Sequence, residues 1–234
     1  STKVGVEGAT NYGSNRDFNV TWNHTQRQEA NPGTSFSASV NFGTSSYFQN
    51  TGANSTYDYD QLIRNNMSSS ISYGKVFADG KVNFTSSLSH RQDMASGNIY
   101  LQLPTFSLNV ATFNPFDSKD RVGEQKWYQR ITVGYSLQGS NTLSTGDSTL
   151  FTKQTLKEFT NGFQHNIPVS LSLNAFKHFQ FNTSVNYTER WYLQTIRKGL
   201  ENELNGFKDV TDTVPGFRRA YDYSFSTGLS TKIY

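Results

Sequence analysis

Residues 167–175 read Ile167-Pro-Val169-Ser-Leu171-Ser-Leu173-Asn-Ala175, and residues 179–187 read Phe179-Gln-Phe181-Asn-Thr-Ser-Val185-Asn-Tyr187. Bulky apolar groups occupy one phase of a two-residue repeat. Ser, Asn, Thr and Gln occupy the other. The same alternation occurs in Phe36-Ser-Ala38-Ser-Val40-Asn-Phe42 and in Val82-Asn-Phe84-Thr-Ser-Ser-Leu88. Successive side chains on a strand point to opposite faces, so each segment makes a sheet with one oily face and one wet face. The wet phase is small and uncharged rather than rich in Lys and Glu, which suits a transmembrane β-barrel with lipid outside and water or polar ligand inside.

Composition supports an ordered chain. Hydrophobic residues make up only 34% of the 234 residues, but aromatics reach 15%, with 18 Phe, 13 Tyr and 3 Trp, and there are only five Pro. Disordered chains are poor in aromatics. A β-structure with a polar interior accounts for the mean hydropathy of −0.63 without disorder. No window approaches the ~18 apolar residues of a transmembrane helix, and the stretch Ser1 to Thr10 carries no charged-then-apolar leader. There is no Cys, which excludes disulfides and thiolate metal sites. The net charge of +3 is not gathered into a basic run, so nucleic acid is not an expected partner.

Strands are expected near 2–9, 16–27, 34–46, 60–77, 81–91, 97–112, 126–138, 164–176, 178–190 and 219–232. Most reach the ~9–11 residues that a tilted strand needs to cross a bilayer. Connectors alternate in size. Ala78-Asp79-Gly80, Phe176-Lys177-His178 and Ala30-Asn31-Pro32-Gly33 read as tight turns. The stretches 47–59, 139–163 and 191–218 read as long polar loops, as on the external side of an outer-membrane barrel. With tight turns on the periplasmic side, 113–125 becomes an unusually long periplasmic connector. Within 97–112 the apolar phase flips at Pro104-Thr105, from Ile99, Leu101 and Leu103 to Phe106, Leu108 and Val110. One extra residue in a bulge explains the flip, and Pro tolerates a bulge because no ladder N–H is needed there.

Aromatics gather at strand ends: Trp127 and Tyr128, Trp191 and Tyr192, Phe42 with Tyr47 and Phe48, and Phe113 with Phe116. Such rings favour headgroup level and are expected to form two girdles. Motifs for covalent chemistry are weak. His24, His90, His165 and His178 have no ligand spacing and are expected to be solvated or lumen-facing. Ser89 and His90 are strand neighbours and point to opposite faces, which defeats a triad with Asp93. No carboxylate pair and no phosphate loop stands out, so neither an enzyme nor a cofactor is expected. Asn-x-Ser/Thr triplets such as Asn83-Phe-Thr85 follow from a polar face built of these residues. Arg190, Arg197, Lys198, Arg218 and Arg219 surround the last long stretch, and Arg91 ends a strand on the same expected side. They are candidates for contact with phosphorylated lipid headgroups. The alternative is pairing with Glu189, Glu201, Glu203 and Asp222.

Several stretches resemble the barrel domain of the LptD family of outer-membrane lipopolysaccharide-assembly proteins, in its Bacteroidetes-type branch. They are Tyr57-Asp-Tyr-Asp-Gln-Leu-Ile-Arg-Asn-Asn66, Leu88-Ser-His-Arg-Gln92, Leu101-Gln-Leu-Pro-Thr-Phe-Ser-Leu-Asn-Val110, Arg121-Val-Gly-Glu-Gln-Lys-Trp-Tyr128, and Asn161-Gly-Phe-Gln-His-Asn-Ile-Pro-Val-Ser170 running on to Ser184-Val-Asn-Tyr-Thr-Glu-Arg-Trp-Tyr192. The resemblance covers roughly 57–234. It implies a very large barrel whose lumen is plugged by an LptE-like lipoprotein, with lipopolysaccharide delivered over periplasmic bridge proteins. It further implies that the wall does no covalent chemistry. The expected fold is therefore all-β, an antiparallel transmembrane β-barrel with about ten strands in this stretch. Residues 1–234 are expected to be a single internal segment of a larger barrel, without the family's periplasmic jellyroll. A porin-like channel or a sugar or siderophore receptor is the alternative function.

Overall fold

The computed structural model describes residues 2–4, 13–15, 19–43, 66–93, 96–118, 120–146, 149–150, 152, 155, 158–175, 179–203 and 206–231. The expected connector 47–59, the aromatics Tyr47 and Phe48, most of the quoted stretch 57–66 and the Phe176-Lys177-His178 corner lie outside them. The described residues are all-β. Two short strands, β1 (Thr2–Val4) and β2 (Gly13–Asn15), pair with each other. The other nine form one antiparallel sheet: β3 (Asn19–Thr25), β4 (Thr34–Gly43), β5 (Asn66–Phe77), β6 (Val82–Asp93), β7 (Asn98–Phe113), β8 (Ile131–Gly146), β9 (Thr160–Ala175), β10 (Phe179–Glu203) and β11 (Gly206–Thr231). Strand order follows chain order from β3 at one edge to β11 at the other, and the sheet is not closed. Eight of the nine strands are at least ten residues long, against ~5–6 for strands of soluble proteins.

Strand boundaries correct the sequence reading in two places. Trp127–Arg130 is a 3-10 turn, not the start of a strand, and β8 runs on to Gly146. Lys126 N–H donates to Gln129 Oε1 at 2.8 Å there, so the chain is locally closed before the strand begins. The supposed loop 191–218 is mostly sheet: β10 continues to Glu203 and β11 starts at Gly206. Backbone pairing between two adjacent strands offsets the polarity of their side chains, so polarity alone misreads a ribbon as a loop. The connector between β8 and β9 shrinks to 147–159.

Successive connectors alternate between the two strand ends, but length does not sort them as expected: 114–130 shares an end with the tight turns, and the short 94–97 and 204–205 share the other with 44–65 and 147–159. Residues 26–33, 78–81, 114–130 and 176–178 join strands at one end; 44–65, 94–97, 147–159 and 204–205 join them at the other. At 78–81, Lys81 N–H donates to Ala78 O at 3.1 Å, and Asp79 and Gly80 both take positive φ, 54° and 89°. This is the Asp-Gly hairpin turn whose twist matches that of the strands. The bulge in β7 is also present. Thr85 pairs by hydroxyls with Ser107 and Ser87 with Thr105, at 2.8 and 2.7 Å. The next pair, Ser89 with Gln102 at 2.9 Å, steps two residues along β6 but three along β7. One extra residue of β7 therefore lies between Gln102 and Thr105, and it keeps the hydroxyl face continuous across Pro104.

The chain divides into two compact units to which β5, β6, β7 and β8 all contribute. The first comprises Ser1–Gly74, Ser86–Thr105 and Asn141–Thr160. Its core is Ile99, Leu101, Leu143 and Leu150, with Leu103, Phe42 and Phe159 packed against them. Leu150 and Phe159, both from the stretch between β8 and β9, pack with these strand residues. The second comprises Lys75–Thr85, Phe106–Ser140 and Asn161–Tyr234. Its centre is a row of rings: Phe106 lies 6.5 Å from Phe84 and 5.8 Å from Phe163. Gly139 permits this row, because a Cβ there would sit 2.4 Å from the Phe106 ring. That ring is held on both sides and has no easy retreat. Gly139→Ala is therefore expected to destabilise the assembled protein by about 1–3 kcal/mol, the cost of overpacking. Gly199→Ala, where a Cβ meets nothing within 4 Å, is expected to be neutral. Urea midpoints of the two variants measure this; equal effects would show that the ring row imposes no constraint.

Candidate functional site

Register assigns the paired residues of β9, β10 and β11 to a face, since directly paired residues lie on the same side. One face carries Phe179, Phe181, Val185 and Tyr187 from β10. Opposite them stand Leu173, Val169 and Ile167 from β9, and Leu229, Phe225 and Tyr223 from β11. The other face carries Gln180, Asn182, Ser184, Asn186 and Thr188, opposite Asn174, Ser172, Ser170 and Asn166 from β9 and Ser230, Ser226 and Ser224 from β11. No described contact covers the apolar face of β11, where Tyr223, Phe225 and Leu229 are 74%, 68% and 66% exposed.

The polar face bonds to itself. Ser172 Oγ donates to Asn182 Oδ1 at 2.7 Å, and Thr188 Oγ1 donates to Asn166 Oδ1 at 3.1 Å. Ser37 and Ser72 hydroxyls meet at 2.7 Å farther along the sheet. Thr188 is 5% exposed, but Ser172, Asn182, Ser37 and Ser72 are neutral, short and exposed, so they offer water-like partners without strong attachment points. Arg190 is the charged member. Its Nε donates to Gln164 Oε1 at 3.2 Å and its guanidinium pairs with Asp222.

On the apolar face the character changes beyond Tyr187. Glu189 stands there, with its side chain only 15% exposed. Tyr187 Oη donates to its Oε2 at 2.8 Å and Trp191 Nε1 donates to its Oε1 at 2.9 Å. Arg219 Nε approaches Oε1 at 3.3 Å. Next to this group His165 lies 4.2 Å from the Trp191 ring, and its Nδ1 bonds the Tyr135 hydroxyl at 2.9 Å. Phe217 meets Trp191 at 5.9 Å, and the Arg219 guanidinium lies 5.6 Å from the Tyr221 ring centroid. A carboxylate, a guanidinium and six rings thus form a belt on the oily face. Sequence reading named Trp191 and Arg219 but treated Glu189 as a mere counter-charge and passed over Tyr135, Tyr187 and Phe217. The signal was available: odd-numbered polar residues of β10 fall on the apolar phase.

The six candidate cations do not form one cluster. Arg190, Lys198 and Arg218 fall on the polar face of the β10–β11 pair; Arg197 and Arg219 fall on the other. Arg197 stands opposite Asp212 and Lys198 opposite Thr211. Arg91 is exposed on β6 in the first unit. Arg190 and Arg219 are ion-paired, with the Asp222 and Glu189 that the sequence offered as alternatives. Of the aromatics, Trp127 and Tyr128 meet edge to face at 5.9 Å in the 3-10 turn at the tight-turn end. Trp191 and Tyr192 are strand neighbours and therefore point to opposite faces, only Trp191 to the apolar one.

Of the described histidines, His24 is exposed as expected, whereas His90 and His165 pack against rings. His90 is 9% exposed and packs edge-on to Phe42 at 4.8 Å, rather than facing water. Because Ser89 bonds Gln102 on the hydroxyl face, His90 must share the phase of Leu88. His165 is tilted against the Trp191 ring, and His24 stacks near Trp22 at 6.1 Å. His178 lies outside the described residues.

Long antiparallel strands with one oily and one hydroxyl-and-amide face are those of an outer-membrane β-barrel protein. A family model described as LptD protein matches residues 1–234, and the chain belongs to that family. No curated protein and no solved structure gives a match. Members of the family are transport proteins of the outer membrane, so the chain acts in lipopolysaccharide transport there, with the lipopolysaccharide-transport machinery as its setting.

The two polar contacts of neighbouring residues differ in burial, and their energies should differ accordingly. Trp191→Phe deletes the donor to the shielded Glu189 carboxylate and is expected to cost about 1.5–3 kcal/mol. Arg190→Ala removes a solvent-screened pair and is expected to cost under about 1 kcal/mol. Unfolding midpoints in detergent or lipid compare the two, and a larger loss for Arg190→Ala would contradict the burial argument.

Proposed function

We propose that this chain forms part of the wall of the outer-membrane lipopolysaccharide translocon, placing its apolar face against lipid and its hydroxyl-and-amide face toward a hydrated lumen. All of residues 1–234 belong, on this reading, to one barrel wall. An amphiphile crosses a membrane poorly because its sugar–phosphate head would be desolvated in hydrocarbon. A lumen lined by Ser, Asn, Thr and Gln removes that cost. Neutral side chains exchange bonds with a passing saccharide as readily as with water, so the molecule is not trapped. The wall moves lipopolysaccharide without making or breaking a covalent bond. An LptE-like lipoprotein in the lumen and periplasmic bridge proteins that deliver the lipid are the partners this role requires.

The observation that carries the reading is the register of β9–β11 over Phe179–Tyr187 of β10, which sorts apolar and amide or hydroxyl residues onto opposite faces, apart from Thr183, Thr227 and Thr231 on the apolar side and Pro168 on the polar side. The test exploits neighbours. In the full chain, Leu171→Arg and Phe181→Arg place a cation against hydrocarbon and are expected to lower folding stability in lipid vesicles by ~2–4 kcal/mol each near the midplane. Ser172→Arg and Asn182→Arg point the same cation into the lumen and should cost far less. Yields of assembled protein in outer membranes should follow the same order. The reverse ranking would refute the assignment of faces.

A further inference from the structure

The belt on the apolar face has one component that its internal bonds do not use up. Glu189 accepts from Tyr187 and from Trp191 and is ion-paired with the Nε side of Arg219. Arg219 itself is 56% exposed, whereas Glu189 is 15% exposed, so the carboxylate lies inward and the guanidinium outward. The ion pair with Glu189 runs through Nε. The two terminal nitrogens of Arg219 have no other hydrogen-bond or ion-pair partner among the described residues. Around this fork stand Trp191, Phe217 (57% exposed) and Tyr221 (59% exposed). A guanidinium offering two parallel donors matches a phosphate. A collar of rings on an oily strand face matches the acyl and glycerol or sugar region just below a headgroup.

We propose that Arg219, set by Glu189 and collared by Trp191, Phe217 and Tyr221, is a binding site on the outward face of the barrel for the phosphate of a membrane lipid headgroup. The proposal rests on the wall reading, since it requires this face to meet lipid. It differs from the lumenal path, because the lipid held here stands outside the barrel and is not in transit. Glu189 is a positioning residue: it fixes the direction of the fork and itself touches no lipid. Arg190, one residue from Glu189, faces the lumen and takes no part.

Native mass spectrometry of the full chain in detergent, with a diphosphorylated acylated glucosamine disaccharide and its dephosphorylated counterpart as probes, tests the site. Wild type is expected to retain the phosphorylated probe preferentially. R219Q should lower that preference roughly tenfold, the scale of one charge-assisted hydrogen bond. R219K should restore part of it, and E189Q should reduce it while leaving retention of the dephosphorylated probe unchanged. R190Q should leave it intact. Retention unaffected by R219Q overturns the proposal. Competition by millimolar inorganic phosphate overturns the lipid source and assigns a free-anion site instead. Should R219Q fail to assemble, Phe217→p-benzoylphenylalanine in an otherwise native chain keeps the proposal falsifiable. Light-dependent crosslinks to the phosphorylated probe support it; crosslinks to both probes alike overturn it. Neither result bears on the ranking of the Leu171 and Ser172 variants, so failure of this site and failure of the wall are separable.

Discussion

Everything in this sheet follows from one constraint: its two faces meet different solvents while its backbone must bond to itself. At hydrocarbon depth an unpaired N–H or C=O costs several kcal/mol, so only a continuous ladder is tolerated. The ladder in turn forces a strict alternation of side chains. A slip of one residue would turn every Leu and Phe toward water and every Ser and Asn toward lipid. The β10–β11 ladder holds register from Phe179 to Tyr192 before its first irregularity. The β9–β10 ladder has none.

Where the chain departs from regular register, the departures preserve the faces. The extra residue in β7 near Pro104 restores the hydroxyl row that a phase flip in the sequence would otherwise break. The irregularity between Tyr192 and Gln194 falls opposite Gly216, whose φ of 147° suits glycine. It lies beyond the last β9 partner of β10, Tyr192 opposite Gly162. Past that point the β10–β11 pair continues without β9. The bulge therefore sits where a three-strand wall gives way to a two-strand ribbon, and where the demand for a fixed face relaxes.

Much of the fold was legible because alternation is a backbone property written into side-chain polarity. Segments such as 167–175 and 179–187 announced strand, phase and face at once, and the Pro104 flip announced its bulge. The ribbon at 191–218 was not legible: Arg, Lys, Glu and Asp occur on both phases, so no solvent difference marks them, and pairing alone makes them a sheet. The 3-10 turn at Trp127 was hidden because an amphipathic ring serves equally as a strand end or a turn. The belt was partly legible. Trp191 and Arg219 stood out by type. Glu189 became meaningful only once the register put it beside Tyr187 and Trp191 on the oily side, where a carboxylate is unexpected.

The level of that belt can be argued from magnitudes. A cation on the lipid face costs ~2–4 kcal/mol at the midplane and ~0–1 near an interface, with carboxylates costing less. Glu189 and Arg219 are tolerable on this face only near the second value. The apolar run from Phe179 to Tyr187 supplies nine residues between the tight-turn end and Glu189, and a strand tilted in a bilayer needs ~9–11 residues to cross it. On β9 the run from Ala175 to Ile167 ends likewise before His165. Strand length and charge placement therefore locate the same boundary independently. The remaining fourteen residues of β10, from Arg190 to Glu203, stand beyond it, which is why their polarity obeys no two-solvent rule.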